Sequence, residues 1–248
     1  MESMNESLIK IEIGSSKHER YAALVSARKQ CGRCSDVVNP STYDDGRFDL
    51  HGHIGAWSDW QGNLDAEVLV VGQEWGGTDN YGRQLGRDMD GDPTNQNLVT
   101  LMDSVGVTLP RPSTLQGSPS NGTFFFTNGV LCLRKGAATN TNGKGNNISE
   151  RSFSNCARTF LRAQIELIEP RFVLVLGKLP WNGLMEAFSL PIRSTLKETV
   201  ENGPVRLNLK TIAFPLFHCG SKSNINRPLQ IQKIDWQKMK TAMVNLAR

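Results

Sequence analysis

The chain has 248 residues, 38% hydrophobic and 21% charged, with a net charge of +4 and a pI near 8.8. That length suits one sizeable α/β domain or two small ones, and no apolar run approaches the ~20 residues of a membrane span. The modest basic balance permits a polyanionic partner without requiring one.

The first residues, Met1-Glu-Ser-Met-Asn-Glu-Ser7, lack a basic-then-apolar signal pattern, which predicts a cytoplasmic protein. A helical pattern over residues 17–30 leads into Cys31-Gly-Arg-Cys34, and a turn carrying His51 and His53 follows. Residues 67–71 (Glu-Val-Leu-Val-Val) form an apolar run of the kind found in strands buried on both faces. The run ends in Gly72-Gln73-Glu74-Trp75-Gly76-Gly77, which sets a carboxylate among glycines at the C-terminal end of a central strand. Open α/β sheets place their ligand crevices there. Residues 95–105 carry Leu98, Leu101, Met102 and Val105 at helical spacing, and residues 123–127 read as a second strand that runs into Asn128 and Cys132. A long polar loop over 136–149 separates it from a helix over 152–168 that contains Cys156. Strands over 172–176 and 211–217 and a helix over 235–246 complete the pattern, the last strand delivering His218. Alternating strands and helices predict a three-layer α/β/α sandwich around a mostly parallel four-stranded sheet. With no internal repeat and no linker, residues 1–248 read as one domain, the N-terminal helix and cysteine hairpin (15–60) packed on it.

Taken alone, Cys31-x-x-Cys34 is a redox pair, a zinc half-site or a coincidence. Cys132 and Cys156, brought together by one strand–helix unit, would complete a four-thiolate site for zinc or an iron–sulfur cluster, and spacing does not separate these. The alternative is that Cys132 and Cys156 are small core residues. Two histidines at positions 51 and 53 are too few for a metal site. Cys219 beside His218 makes a poor Cys–His pair, because adjacent residues point apart.

The ordered set of motifs resembles the uracil-DNA glycosylase superfamily, and most closely its iron–sulfur branch, family 4. The motifs are Cys31-x-x-Cys34, then Val-Val-Gly-Gln-Glu-Trp-Gly-Gly, then Phe126-Thr-Asn-Gly-Val-Leu-Cys132. Cys156 follows with Phe160-Leu-Arg-Ala-Gln-Ile-Glu-Leu-Ile-Glu-Pro170, then Val173-Leu-Val-Leu-Gly177, and finally His218-Cys-Gly-Ser221 with Arg227 and Asp235-Trp236 downstream. The resemblance covers about residues 25 to 245. It implies a 4Fe–4S cluster, preferred over zinc, on Cys31, Cys34, Cys132 and Cys156. It also implies a monomeric DNA-binding enzyme that flips a base and hydrolyses its glycosidic bond. Glu74 then takes the water-activating or cation-stabilising position, Asn128 reads the base edge, and His218 supports the leaving base. Gln73, Trp75, Gly76 and Tyr81 fall around the base. Gly220 and Ser221 fall near a phosphate, and Lys222, Arg227, Arg134 and Lys135 are the candidate DNA-contacting cations.

Three departures bear on the identity of the base. Trp75 replaces the loop proline, Cys-Gly-Ser replaces Pro-Ser after the histidine, and Leu85 stands where family 4 has a stacking aromatic, a role left to Tyr81 or Trp75. Gly76 occupies the position where uracil-specific branches carry a Tyr that excludes C5 substituents. Two rival readings stay open. One keeps the chemistry but takes a bulky hypermodified cytosine of phage DNA, in a defence role. The other is a catalytically inactive, metal-stabilised nucleic-acid-binding protein.

Overall fold

The computed structural model describes residues 15–247 apart from 51, 61, 116–122, 137–146 and 194, so His51 and most of the polar loop after Gly136 lie outside the described residues. Helix α1 (Lys17–Lys29) starts at a reciprocal capping box: the Ser16 hydroxyl accepts from Glu19 N–H at 3.3 Å, and the Glu19 carboxylate accepts from Ser16 N–H at 2.6 Å. There follow β1 (Val37–Val38), β2 (Val68–Gly72), α2 (Thr78–Arg83), α3 (Pro93–Ser104), β3 (Phe124–Asn128) and β4 (Leu133–Arg134). Helices α4 (Glu150–Cys156) and α5 (Arg162–Ile168) are joined without a break by a π turn over Ala157–Leu161. The chain continues through β5 (Phe172–Leu176), α6 (Lys178–Ala187), α7 (Leu196–Asn202), β6 (Val205–Arg206), β7 (Ile212–Leu216), α8 (Ser221–Asn226) and α9 (Leu229–Ala247).

The main sheet has the order β3-β2-β5-β7-β6. The four expected strands are its parallel members, in register from Val68↔Phe124 to Gly72↔Asn128 on one side of β2 and from Val68↔Phe172 on the other. The fifth, β6, adds an antiparallel edge to β7. Two residues behind Gly203-Pro204 carry too little pattern to be read as a strand. Strand side chains alternate between faces, and both faces are covered. Leu69, Val71, Phe125, Val173, Val175 and Ala213 pack with α1, α5 and α6, whereas Val70, Phe126, Leu174, Phe214 and Leu216 pack with α3 and α9. The three-layer sandwich is therefore present, with an apolar core on each side of the sheet. No helix among the described residues is long and apolar enough to cross a membrane.

The N-terminal segment is anchored at three places. Arg28, 2% exposed, makes a two-point ion pair with Asp49 at 2.6 and 2.8 Å. The Asn39 side-chain amide donates to the carbonyls of Arg28, Lys29 and Cys31, closing the end of α1. Strand β1 pairs antiparallel with β4, Val37 against Arg134 and Val38 against Leu133. This small sheet brings the loop of Cys31 and Cys34 beside the segment that carries Cys132.

Candidate active site

Loops leaving the C-terminal ends of β2, β3 and β7 enclose a cavity of about 300 Å³ lined by Gln73, Glu74, Trp75, Gly76, Asn128, Arg134, His218, Gly220 and Ser221, among others. Parallel strands in register deliver their ends to one level, so residues remote in sequence meet. The loops after β2 and β3 are zipped by backbone hydrogen bonds, Gly129 N–H to Gly72 O at 2.8 Å, Val130 N–H to Gln73 O at 2.9 Å and Arg134 N–H to Gly76 O at 2.9 Å. That pairing sets Arg134 Nη1 3.6 Å from Glu74 Oε1, with both side chains mostly buried. Gly72 permits the arrangement: a Cβ there would stand 2.4 Å from Asn128 Oδ1 and 2.5 Å from the Trp57 ring.

Burial raises the Glu74 carboxyl above its ordinary value, and Arg134 opposes the shift. An ionised Glu74 next to this guanidinium can accept a proton or balance a developing positive charge. His218 is pushed the other way. Burial lowers it to about 4, so the imidazole is neutral at physiological pH. Gly220 N–H donates to its Nδ1 at 2.9 Å, which leaves the proton on Nε2 as a donor. A Cβ at Gly220 would lie 2.9 Å from that ring. Gly177, at φ +110, lets Gln73 and His218 approach the end of β5.

Tyr81 is not brought to the cavity. It is 3% exposed and packs edge-on against Trp75 at 4.8 Å, with Tyr43 and Phe48 around it, so it backs Trp75. Trp75 itself lines the cavity, and Leu85 is 62% exposed. The basic residues disperse. Arg134 faces Glu74, and Lys135 is exposed beside the cysteines. Arg227 is held by Asp235 at 2.6 and 2.9 Å and lies over the Phe217 ring. Lys222 is in α8, but its side chain lies outside the described residues. Cys219 is buried, with its thiol pushed up to about 12 by burial.

Sequence reasoning missed one wall of the cavity: Trp57, Asp88, Asp92 and Asn95. The Asp92-Pro93 step was readable as a helix start, and Asp92 does cap α3 by accepting from Thr94 and Asn95 N–H. Nothing in the local pattern around Asp88, in a run of charged and glycine residues, separates it from a solvated loop.

The four cysteines do converge. Cys31, Cys34, Cys132 and Cys156 line a second cavity of about 340 Å³, walled also by Arg28, Val37, Leu131 and Phe160. Leu131 N–H donates to Cys156 Sγ at 3.4 Å and Asn155 Nδ2 to Cys34 Sγ at 3.6 Å. Arg33 ties the first cysteine loop to Thr159 in the π turn that follows Cys156. Burial, reinforced by Cys31 and Cys34, pushes the Cys132 thiol up to about 12 and raises Cys156 as well. Among the described residues no group of three His, Cys, Asp or Glu is disposed to hold a single metal ion. His53 is paired with Asp59 at 2.8 Å.

A doubly covered parallel sheet whose strand ends bring a carboxylate, an amide and a neutral imidazole into one cavity defines an α/β fold with a polar pocket at the carboxyl ends of its strands. The family model of the uracil DNA glycosylase superfamily matches residues 60–239, and the chain belongs to that superfamily. It is 27% identical over 173 residues to the type-5 uracil-DNA glycosylase of Pyrobaculum aerophilum, a match covering 67% of this chain and 70% of that protein. That relative is of a different type from the family 4 resemblance drawn from the motifs. The matched segment contains Glu74, Asn128, His218, Cys132 and Cys156, while Cys31 and Cys34 precede it.

Proposed function

We propose that this protein is a monofunctional DNA glycosylase that hydrolyses the N-glycosidic bond of a flipped uracil or modified pyrimidine. The observation that carries the reading is the meeting of Glu74, Asn128 and His218, from three strand ends, in one cavity. Such a site is reached only by a nucleotide turned out of the stack. Water adds to C1′ as the C1′–N1 bond breaks, the bonding pair leaves on the base, and the water's proton passes to Glu74. The carboxylate also stabilises the oxocarbenium-like sugar. Neutral His218, through Nε2–H, donates to the O2 of the departing pyrimidine anion. The Asn128 amide offers a donor and an acceptor to the base edge. In oligonucleotides that carry uracil or a modified pyrimidine, the enzyme is expected to create, in at least one, sites that break only on hot-alkali treatment. Intact strands after alkali would contradict the reading, and breaks before alkali would contradict its monofunctional part.

The donor set fits a metal cluster. Four thiols lining one cavity, two of them receiving N–H groups, are soft donors of the kind that hold an iron–sulfur cluster. Cys31, Cys34, Cys132 and Cys156 would hold it. A 4Fe–4S cluster bound there supplies covalent links between the α1 loop, the β3–β4 segment and α4. Anaerobically purified protein is expected to be brown, with about four irons per chain. Cys156→Ser should lose the iron and Cys219→Ser should retain it; a colourless protein with one zinc would contradict the cluster.

Gly76 governs which bases fit, but it is also a backbone requirement. A Cβ there meets only Asn80 Nδ2, at 4.0 Å, so the space is open, yet φ is +119. Any L side chain at such a φ costs about 1–3 kcal/mol. Gly76→Ala therefore measures the backbone strain, and Gly76→Tyr adds the volume. Relative to Ala, Tyr is expected to cut release of C5-substituted pyrimidines by about tenfold or more and of plain uracil by less. Equal rates for Ala and Tyr on all substrates would remove Gly76 from the pocket.

A further inference from the structure

Asp88 belongs to none of the roles assigned above, although it lines the same cavity as Glu74, Asn128 and His218. Its Oδ1 accepts only a long hydrogen bond from Asn95 Nδ2, at 3.4 Å, and its Oδ2 is buried without a hydrogen-bond partner. Asn95 is in turn fixed by Trp57 Nε1–H, which donates to its Oδ1 at 3.2 Å. The Trp57 ring and Asn128 Oδ1 both crowd the point where a Cβ on Gly72 would sit. A continuous polar wall thus runs from Asp88 through Asn95 and Trp57 to Asn128. Every member but Asp88 has its polar groups committed within the fold or to the base edge.

We propose that Asp88 is a second base-reading residue, whose carboxyl hydrogen-bonds the pairing edge of the flipped pyrimidine alongside Asn128. The inference rests on the glycosylase reading above. A buried carboxyl oxygen without a partner is costly, and a ligand that supplies one is bound selectively. The carboxyl torsion is soft, so either oxygen can turn to the cavity. Burial raises Asp88 to about 8, with Asp92 and Asp59 adding repulsion and the Asn95 amide opposing it. Below that value the group is a neutral acid with one donor and one acceptor side by side. With Asn128 on the N3 position, this group donates to the second lone pair of the uracil O4, or accepts the second hydrogen of the cytosine N4 amino group. A neutral Asp88 thereby lets the pocket take both keto and amino pyrimidines. Once ionised it accepts only and repels the ring acceptors. Glu74, Asp92, Arg134 and His218 share the cavity with it, and His218, lowered to about 4, is already neutral over this range.

The test uses binding in a Glu74→Gln background, which removes one neighbouring carboxyl and halts turnover. Single-stranded oligonucleotides with one deoxyuridine, and matched adenine-only strands, are titrated from about pH 6 to about pH 9, below the ionisation of the uracil N3–H. The preference for the uracil strand is expected to fall about tenfold per pH unit above about pH 8. Adding Asp88→Ala should cut the preference roughly tenfold at neutral pH, the usual effect of one lost hydrogen bond. Adding Asp88→Asn, which keeps a donor and an acceptor, should cut it less and abolish the alkaline fall. A uracil preference that neither Asp88 substitution changes would overturn the proposal while leaving the glycosylase reading intact. No uracil preference together with no base release by the unsubstituted enzyme would overturn both.

Discussion

Glu74→Gln is expected to lower base release by at least ~100-fold while DNA binding and the fold persist. The amide keeps the shape of the side chain and can still lie beside Arg134, but it cannot take a proton or oppose a cationic sugar. The pH dependence follows from the direction of the shift. Burial raises the Glu74 carboxyl above its ordinary value of 4.5, so activity in the unsubstituted enzyme should be lost as pH falls through that raised value. A buried acid with a raised pKa favours the fold when protonated, and this contribution is lost as pH rises through the folded pKa. Ionised Glu74 therefore costs stability at neutral pH, and Glu74→Gln should unfold at the same temperature or higher. Single-turnover release measured against pH, with thermal unfolding alongside, checks both. Unchanged release in Glu74→Gln would remove it from the chemistry.

His218→Ala is expected to reduce release by about 100- to 1000-fold, the scale seen when one preorganised donor to a developing anion is removed. The imidazole acts as a neutral donor, so protonation is not required, and the rate should show no limb near the ordinary histidine value of 6.5. Its stability signature runs opposite to that of Glu74. With the folded value lowered to about 4, the contribution is present above about 6.5 and is lost as pH falls from there toward about 4. The loss of stability across that window should be shallower in His218→Ala. Release at the unsubstituted rate in His218→Ala would contradict the leaving-group role.

The parallel sheet was legible because its strands are unbroken apolar runs; all five residues of β2, β5 and β7 are buried. Strand β6 was not, since two residues have no period. The helix over 152–168 was readable, but the π turn inside it was not, because that register change leaves no mark on hydrophobic spacing. At the site, Glu74, Asn128 and His218 could be named because each follows directly on a recognisable strand, and sheet register then fixes their level. Tyr81 and Arg227 went elsewhere for reasons of long-range packing: Tyr81 found Tyr43 and Phe48, and Arg227 found Asp235. Asp88 stayed hidden for the same reason. It is held by Asn95, itself fixed by Trp57 from a remote part of the chain, and no local pattern announces that arrangement. The cysteine site was half legible: two thiols in a C-x-x-C are a signal, whereas Cys132 and Cys156 depend on β1 pairing with β4 to meet them.

The central claim is that Glu74 and His218 release a free pyrimidine from DNA. Mass spectrometry of the small molecules liberated from uracil-containing, deaminated and modified-phage DNA tests it most directly. The account predicts a free pyrimidine base from at least one of these, in amounts equal to the abasic sites formed, and its loss in Glu74→Gln. No free base from any of the three, or the same yield from Glu74→Gln, would contradict it.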